Sequence, residues 1–225
     1  MAAAAKLCYS KCGATELMDH LTPEKTEAFL KRLTDLSHDS PLEHISFTFA
    51  IEGVSRSLLA QITRHRMASY SVKSQRYVKE SDPCFITPEA IRLDDGLNDL
   101  YQSTMEKLWG VYGYISRTLM GKYLEAGIDY KSAEKKAIED ARYVLPNACE
   151  TKMVITMNAR SLLHFFELRC CNRAQAEIRE LADEMLRLVR EICPHIFAKA
   201  GALCTHGPCP EGKMSCGHPR KGENQ

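Results

Sequence analysis

Arginine, serine and tyrosine side chains are concentrated in one short stretch, RHRMASYSVKSQRY, at positions 64–77. The planar guanidinium group of arginine makes two-point hydrogen bonds to phosphate and carbonyl oxygens, and hydroxyl groups add neutral contacts to the same oxygens. Tyrosine rings can flank a flat ligand. The stretch contains neither Asp nor Glu, so nothing within it neutralises the arginines. It therefore predicts a site for an anionic, ring-bearing ligand, in preference to the alternative of a solvated basic helix end.

A second group of polar residues lies in the segment NARSLLHFFELR, which begins at Asn158. The amide of Asn158 carries both a donor and an acceptor, which is what the edge of a flavin or uracil ring requires. Arg160 and His164 are one helical turn apart and share a face, although a histidine there can also be an ordinary hydrogen-bonded helix residue. Arg169 lies beside an apolar helix, where a buried arginine needs an anionic partner.

The elements that must position these residues are mainly helices. In the first third of the chain the pattern predicts helical structure over 2–36, broken near Gly13, with a second helix that starts at Thr22–Pro23. A turn at 38–41 follows, and then a strand over 45–51 that ends at Gly53 and a helix over 55–66. The basic stretch is thus expected at the end of a helix.

The remainder of the chain adds one more strand to a largely helical pattern. It predicts a loop over 77–95, helices over 97–126 and 132–143, a strand over 151–156, and helices over 161–169 and 174–192. After Gly201 the periodicity stops, which predicts a tail that is mobile or wrapped on a neighbour. Few strands among many helices indicate an α+β fold. No glycine-rich phosphate loop occurs, so any phosphates must be held by side-chain cations.

Composition excludes several classes of protein. Of the 225 residues, 44% are hydrophobic and 26% charged, a balance that excludes a disordered chain. Thirty Lys and Arg against 29 Asp and Glu leave a formal charge of +1, so a whole-chain nucleic-acid surface is not expected. The sequence shows no run long enough to cross a bilayer and no secretory signal. Ten unevenly spaced cysteines predict free thiols in a reducing cytoplasm.

The C-terminal tail holds three of those cysteines, Cys204, Cys209 and Cys216, together with His206 and His218. The spacings between these cysteines differ from the paired Cys-x2-Cys pattern of common zinc sites. A tail of free thiols without a metal is therefore favoured, and a zinc site is the alternative.

Three segments of the chain resemble signatures of the flavin-dependent thymidylate synthase family. RHRMASYSVKSQRY resembles the first signature, Arg-His-Arg followed after seven residues by Ser-x-Arg. NARSLLHFFELR, followed by RAQAEIRELA, is similar to the second signature, and the segment from His38 to His44 is similar to an early active-site turn. The resemblance runs from about Leu7 to Pro194.

The resemblance implies a mixed α/β fold with helices packed on a small central sheet, in a homotetramer with shared active sites. The family domain would cover residues 1–200, apparently without the family's first strand, and a Cys/Gly/Pro-rich tail would cover 201–225. The implied reaction converts dUMP to dTMP. Its carbon comes from 5,10-methylenetetrahydrofolate, and NADPH reduces bound FAD, whose hydride completes the methyl group. No enzyme nucleophile is used, in agreement with a sequence in which no nucleophile-and-base arrangement is recognisable.

The resemblance also assigns roles to individual positions. Residues matching FAD contacts are Ser40, Arg64, His65, Arg66, Asn158, Arg160 and His164. Residues matching the dUMP-binding set are Gln61, Arg64, Ser74, Gln75, Arg76, Arg142 and Arg169. Arg169 corresponds to the arginine that stabilises uracil ionised at N3, which is electrostatic catalysis by a fixed cation. His38 corresponds to a mobile histidine near the flavin.

Two other hypotheses remain open on the sequence. A single-stranded nucleic-acid binder would use the same arginines and tyrosines for phosphate contacts and stacking, although the near-zero net charge argues against it. A catalytically inactive nucleotide-binding relative is the second, because Ser71-Val72 stands where many family members have Asn-Glu.

Overall fold

Ten α-helices and one three-stranded sheet form the regular structure of residues 2–35, 38–77 and 84–220, the part of the chain that the computed structural model describes. The predicted α+β class is confirmed. The helices are α1 Ala2–Leu7, α2 Ala14–Asp19, α3 Pro23–Asp35, α4 Arg56–Ile62, α5 Glu89–Arg92, α6 Asp95–Glu125, α7 Tyr130–Ala141, α8 Ala159–Arg169, α9 Ala176–Ile192 and α10 Pro194–Phe197.

The sheet is antiparallel, with strands β1 Ser46–Ser55, β2 Ala68–Val72 and β3 Glu150–Asn158 in the order β1-β3-β2. The register of β1 on the central strand is marked by a hydrogen bond of 2.9 Å between the hydroxyls of Thr48 and Thr156. Alternate residues of β3 are buried, so one face of this strand is apolar and supports the core. β3 ends at Asn158, where α8 begins.

The end of the first strand differs from the prediction. β1 does not stop at Gly53 but continues to Ser55. Gly53 has a φ of +70°, a conformation that costs glycine little, and its N–H donates to the Glu150 carboxylate at 3.0 Å. The glycine therefore permits an irregular backbone inside the strand rather than ending it.

The helix that follows β1 is shorter than predicted. The side chain of Ser55 caps α4 by accepting the N–H of Leu58 at 3.0 Å, and the helix is over by Thr63. Residues 64–67 therefore lie beyond it, and Ala68–Val72 form β2, a strand that the sequence analysis did not predict. The basic stretch therefore follows the end of a helix, as expected, but the helix ends before Arg64 instead of near Arg66, and the stretch continues into an unpredicted edge strand.

Most other boundaries agree with the prediction. Thr22 caps α3, with its hydroxyl accepting the N–H of Lys25 at 3.3 Å, and α6 is the expected long helix. The N-terminal helix is divided into three, because α1, α2 and α3 are separate. The segment over 77–95 contains the short helix α5, and 78–83 lies outside the described residues.

The chain divides into two compact units. The first consists of Met1–Phe49, Arg64–Tyr70 and Ile155–Gln225, and the second of Ala50–Thr63 and Ser71–Val154. In the first unit α8 and α9 contribute the fully buried side chains of Phe165, Phe166, Ile178 and Val189. The core of the second unit includes Leu58, Ile62, Ala137, Ile138 and Ala141 from α4 and α7.

The C-terminal tail is described as far as Arg220 and turns back onto its own chain. Gly201, with a φ of +126°, begins the tail, which contains short 3-10 turns at Leu203–Thr205 and Gly212–Met214. Arg220 forms an ion pair with Asp183 of α9 at 2.6 Å. In the described residues, charged side chains, which carry no periodicity, join the tail to its own chain, a contact that the sequence analysis did not predict.

No helix within residues 2–35, 38–77 and 84–220 is long and apolar enough to span a membrane.

Candidate active site

A cavity of roughly 750 Å³ lies in the first unit. Its walls come from the turn before β1, from the turn after α4, and from the junction of β3 with α8. Seven of the predicted site residues line it: Arg64, His65, Arg66, Asn158, Arg160, His164 and Arg169. Its volume is in the range of small-molecule sites. The two signature segments, nearly a hundred residues apart in sequence, therefore meet at one cavity.

The junction of β3 and α8 sets the direction of several of these side chains. The N–H of Ala159 donates to the carbonyl of Ile45 at 2.8 Å, and the side-chain oxygen of Asn158 caps α8 by accepting the N–H of Ser161 at 2.8 Å. The cap uses an acceptor of the Asn158 amide, so its NH2 group is what remains to donate to a ligand. From this start Arg160 and His164 follow one turn apart and line the cavity together, as their spacing predicts.

Arg169, the last residue of α8, is joined to His65 by a hydrogen bond. Its Nε–H donates to Nε2 of His65 at 3.1 Å. Because arginine can only donate, Nε2 of His65 must carry the lone pair, and the ring proton is on Nδ1. Burial first, and then the positive charge of Arg169 and the neighbouring His164, together lower the pKa of His65 to about 4. The His65 imidazole is therefore neutral at physiological pH.

The backbone of His65 is also held. The hydroxyl of Tyr70 donates to the His65 carbonyl at 2.8 Å, and burial raises the pKa of that phenol to about 12. The phenol therefore stays protonated and able to donate. The ring of Phe165 meets the His65 ring edge to face at 5.0 Å between centroids. These two contacts make His65 a fixed support for Arg169.

Arg160 has a partner that the sequence analysis did not assign. Its Nη1 forms an ion pair with the Glu43 carboxylate at 2.5 Å, and both side chains are about half exposed, at 53% and 50%. Glu43 lies in the Ser40–His44 turn that carries the family resemblance, so its place in the sequence was a usable signal. Ser40, in the same turn, is not among the residues that line the cavity as described.

Arg64 and Arg66 are the cations of the cavity that remain available. Both are exposed, and neither has an ion-pair partner among the described residues. The remaining surface includes the apolar side chains of Met67, Met157 and Leu168. Free guanidinium groups beside an apolar wall, with the Asn158 NH2 group as a donor, suit a flat ring that carries phosphates. The residues present therefore fit a nucleotide-type cofactor.

Other predicted nucleotide-binding residues lie in the second unit and meet at Glu139 of α7. Arg76 forms an ion pair with the Glu139 carboxylate, and Nε of Arg142 donates to the Glu139 carbonyl at 3.2 Å. The Ser74 hydroxyl accepts the N–H of Arg76 at 3.2 Å. The sequence analysis missed Glu139, because a single glutamate on an amphipathic helix does not stand out.

Gln75 is 6% exposed, and its Nε2 has no hydrogen-bond partner within the described part of the chain. A buried amide without an acceptor is costly, which fits a group that meets a ligand. Gln61, at the end of α4, donates from Nε2 to the carbonyl of Ser57 at 3.4 Å.

The thiols show no metal-binding arrangement. All ten cysteines are free, and among the described residues no group of three or more His, Cys, Asp or Glu side chains could hold a metal ion.

Comparison with known proteins assigns the chain to a family. The model of the family described as thymidylate synthase complementing protein, Thy1, matches residues 1–195. A curated protein of Clostridium tetani is 54% identical over 217 residues, 96% of this chain and 87% of the relative. A protein of Geobacter sulfurreducens is 47% identical over 96% of this chain and 88% of the relative. One of Pyrococcus horikoshii is 40% identical over 94% and 84%. All three relatives are named flavin-dependent thymidylate synthase.

Proposed function

The chain belongs to the thymidylate synthase complementing protein family and is an enzyme of the flavin-dependent thymidylate synthase class, and from this premise we propose that it converts dUMP to dTMP. In this proposal 5,10-methylenetetrahydrofolate donates the carbon and NADPH is the reductant. Residues 1–200 are the catalytic domain and 201–225 the tail. The working form is a cytoplasmic homotetramer with shared active sites.

The observation that carries the proposal is the cavity at which Arg64, His65 and Arg66 meet Arg169 and other residues of α8. Bound FAD would supply the hydride that completes the methyl group. The chain's own residues bind and orient it: the unpaired guanidinium groups of Arg64 and Arg66 take its phosphates, and the NH2 group of Asn158 donates to the ring. His164 and Arg160 complete the flavin side, and Ser40 is proposed as a further contact.

Arg169 is proposed to stabilise the uracil ring of dUMP in its form ionised at N3. His65 engages Nε of Arg169, which leaves the two terminal amino groups of the guanidinium to face the ligand as a fixed cation. A cation that is already oriented stabilises developing negative charge without reorganisation during the reaction. Because His65 is neutral, it does not compete with Arg169 for the anion.

The remaining dUMP contacts are proposed to come from Gln61, Ser74, Gln75, Arg76 and Arg142, with Arg64. In a tetramer with shared sites these residues of the second unit can serve an active site formed with other subunits. Gln75 is buried, and its side-chain NH2 group has no acceptor among the described residues. In this proposal an oxygen of the bound nucleotide accepts that hydrogen bond.

The test is dTMP formation by purified protein supplied with dUMP, methylenetetrahydrofolate, NADPH and FAD, omitting each in turn. The proposal predicts a yellow protein as purified, whose flavin absorbance NADPH bleaches under anaerobic conditions, and, once the bound flavin has been removed, product only with all four present. Product without flavin would contradict it. Binding of dUMP without product or tritium release from its C5 would instead support the inactive relative.

A further inference from the structure

The C-terminal tail is attached to the residues that directly follow Arg169. Nη1 of Arg220 donates to the carbonyl of Cys170 at 2.7 Å and, with distances of 2.6 and 2.8 Å to the two carboxylate oxygens, forms an ion pair with Asp183 of α9. Cys170 is the C-cap residue of α8, so its carbonyl is near the end of the helix, where backbone acceptors lack helical partners. Arg220 supplies a charged donor at that point.

Two further bonds join the tail to the same short segment. Nδ2 of Asn172 donates to the carbonyl of His218 at 2.7 Å, and Arg173 forms an ion pair with Glu211 at 2.6 Å. Three of the four residues after α8 are therefore tied to the tail, although none of them is in a regular element. The tail therefore adds three side-chain contacts to a segment whose other hydrogen bonds include that from Arg179 to the carbonyl of Asn172.

The space between the tail and α8 is continuous with the surroundings of Arg169. A second cavity, of roughly 250 Å³, is lined by tail residues and by Leu168 and Arg169, both of which also line the larger cavity. Arg169 thus borders both the ligand cavity and the tail cavity. Burial, with Asp183 nearby, raises the pKa of the Cys170 thiol to about 12, in keeping with a closely packed attachment point.

We propose that Arg220 is a positioning residue for Arg169: by bridging Asp183 and the Cys170 carbonyl, it clamps the end of α8 and fixes the backbone that carries the catalytic guanidinium. The inference rests on the role proposed above for Arg169. His65 restrains that guanidinium at Nε, and Arg220 restrains its backbone. Arg220 itself lies beyond residue 195, where the match to the family model ends.

The proposal predicts a specific defect in the holoenzyme variant Arg220→Gln. The KM for dUMP should rise on the order of tenfold, because the end of α8 would no longer hold Arg169 in its binding position. Flavin content should be unchanged, because Arg64 and Arg66 lie outside α8, and Asn158 and Arg160 lie at the start of α8, at the opposite end from Cys170. Arg220→Lys keeps a charged donor and should restore most of the affinity, and Asp183→Asn should reproduce the defect in milder form.

The matched control is Arg187→Gln. Arg187 is also an arginine paired with carboxylates on α9, those of Glu184 and Glu191, but among the described residues it makes no hydrogen bond or ion pair with the tail. Its dUMP KM should equal that of the wild type. An equal rise in this variant would overturn the proposal, because general loss of an ion pair on α9 would then explain the effect.

The deciding experiment combines Arg220→Gln with Arg169→Ala and measures the dUMP KM and affinity together with flavin content. If Arg220 acts through Arg169, the double variant should bind dUMP within about twofold of Arg169→Ala alone. Additive losses would overturn the clamp. Loss of dUMP affinity in Arg169→Ala but not in Arg220→Gln would also overturn it while leaving the proposed function intact. No loss in Arg169→Ala itself would instead contradict the proposed role of Arg169.

Discussion

Arg169 donates its Nε–H to Nε2 of His65 across 3.1 Å, and this bond ties the end of α8 to the Arg-His-Arg turn. The bond requires an unprotonated Nε2, so it exists only while His65 is neutral. Each of the two signature segments contributes one of the two residues. The bond therefore explains physically why a histidine between two arginines is useful: it orients a cation supplied by another element.

The free energy of unfolding should decrease as the pH is lowered, because the pKa of His65 is lowered in the folded protein. The folded pKa is lowered from 6.5 to about 4, so the unfolded state binds the extra proton between these values and stability declines as the pH falls through that window. Since the ring is only half buried, we expect about 1–2 kcal/mol. His65→Gln keeps an acceptor for Arg169 and removes the titration.

The measurement is the free energy of unfolding by urea at several pH values from 7 to 4, in the wild type and in His65→Gln. The difference between the two curves isolates the histidine from the many carboxylates. His20→Gln, at an exposed position, is the control and should follow the wild type. Parallel curves for the wild type and His65→Gln would refute the predicted shift.

Substitution of Arg66 should weaken flavin retention more than it weakens the binding of dUMP. Arg66 is exposed at the cavity and has no ion-pair partner among the residues described. Arg66→Ala therefore removes a cation without leaving any carboxylate unpaired. Loss of a hydrogen bond to a charged ligand group should cost about 1.5–3 kcal/mol of flavin affinity. Flavin release measured by ultrafiltration checks this. Arg92→Ala, which removes an exposed arginine paired with Glu89, should retain flavin normally.

The Glu43 carboxylate should oppose the binding of anions in the cavity, because it neutralises part of the charge of Arg160. It places a carboxylate against Arg160 at 2.5 Å, where both side chains remain half exposed. Glu43→Gln should therefore strengthen flavin retention about two- to fivefold and change the free energy of unfolding by less than about 1 kcal/mol. Weaker flavin retention in this variant would show that Glu43 is needed to orient Arg160.

Sequence patterns predicted the elements whose packing is set locally. The long helix α6, the amphipathic helix α9 and the Thr22 cap of α3 depend on periodicity and on capping chemistry, both visible in a few consecutive residues. That Arg160 and His164 share one face of α8 follows from helical spacing alone. The meeting of Arg169 with His65 does not, because it requires the path of the chain between them.

The errors arose where tertiary pairing decides the structure. Ala68–Val72 is a polar-looking edge strand whose partner, β3, is some eighty residues away in sequence, so no local pattern marks it. Glu139 was missed for the same reason, since it is an ordinary glutamate until the fold brings Arg76 to it, whereas Glu43 was missed although it lies in the turn that carries the family resemblance. Charged anchors such as the pair of Arg220 with Asp183 likewise leave no periodic signal.

The most direct test of the account is the affinity of the flavin-loaded protein for dUMP, by isothermal titration, in the wild type and in Arg169→Ala. Removing one charged contact to a desolvated ligand group should cost about 2–5 kcal/mol, which is a loss of at least roughly 30-fold in dUMP affinity, with turnover collapsing and flavin still bound. Equal dUMP affinity and normal turnover in Arg169→Ala would contradict the claim that a guanidinium held by His65 stabilises the ionised uracil.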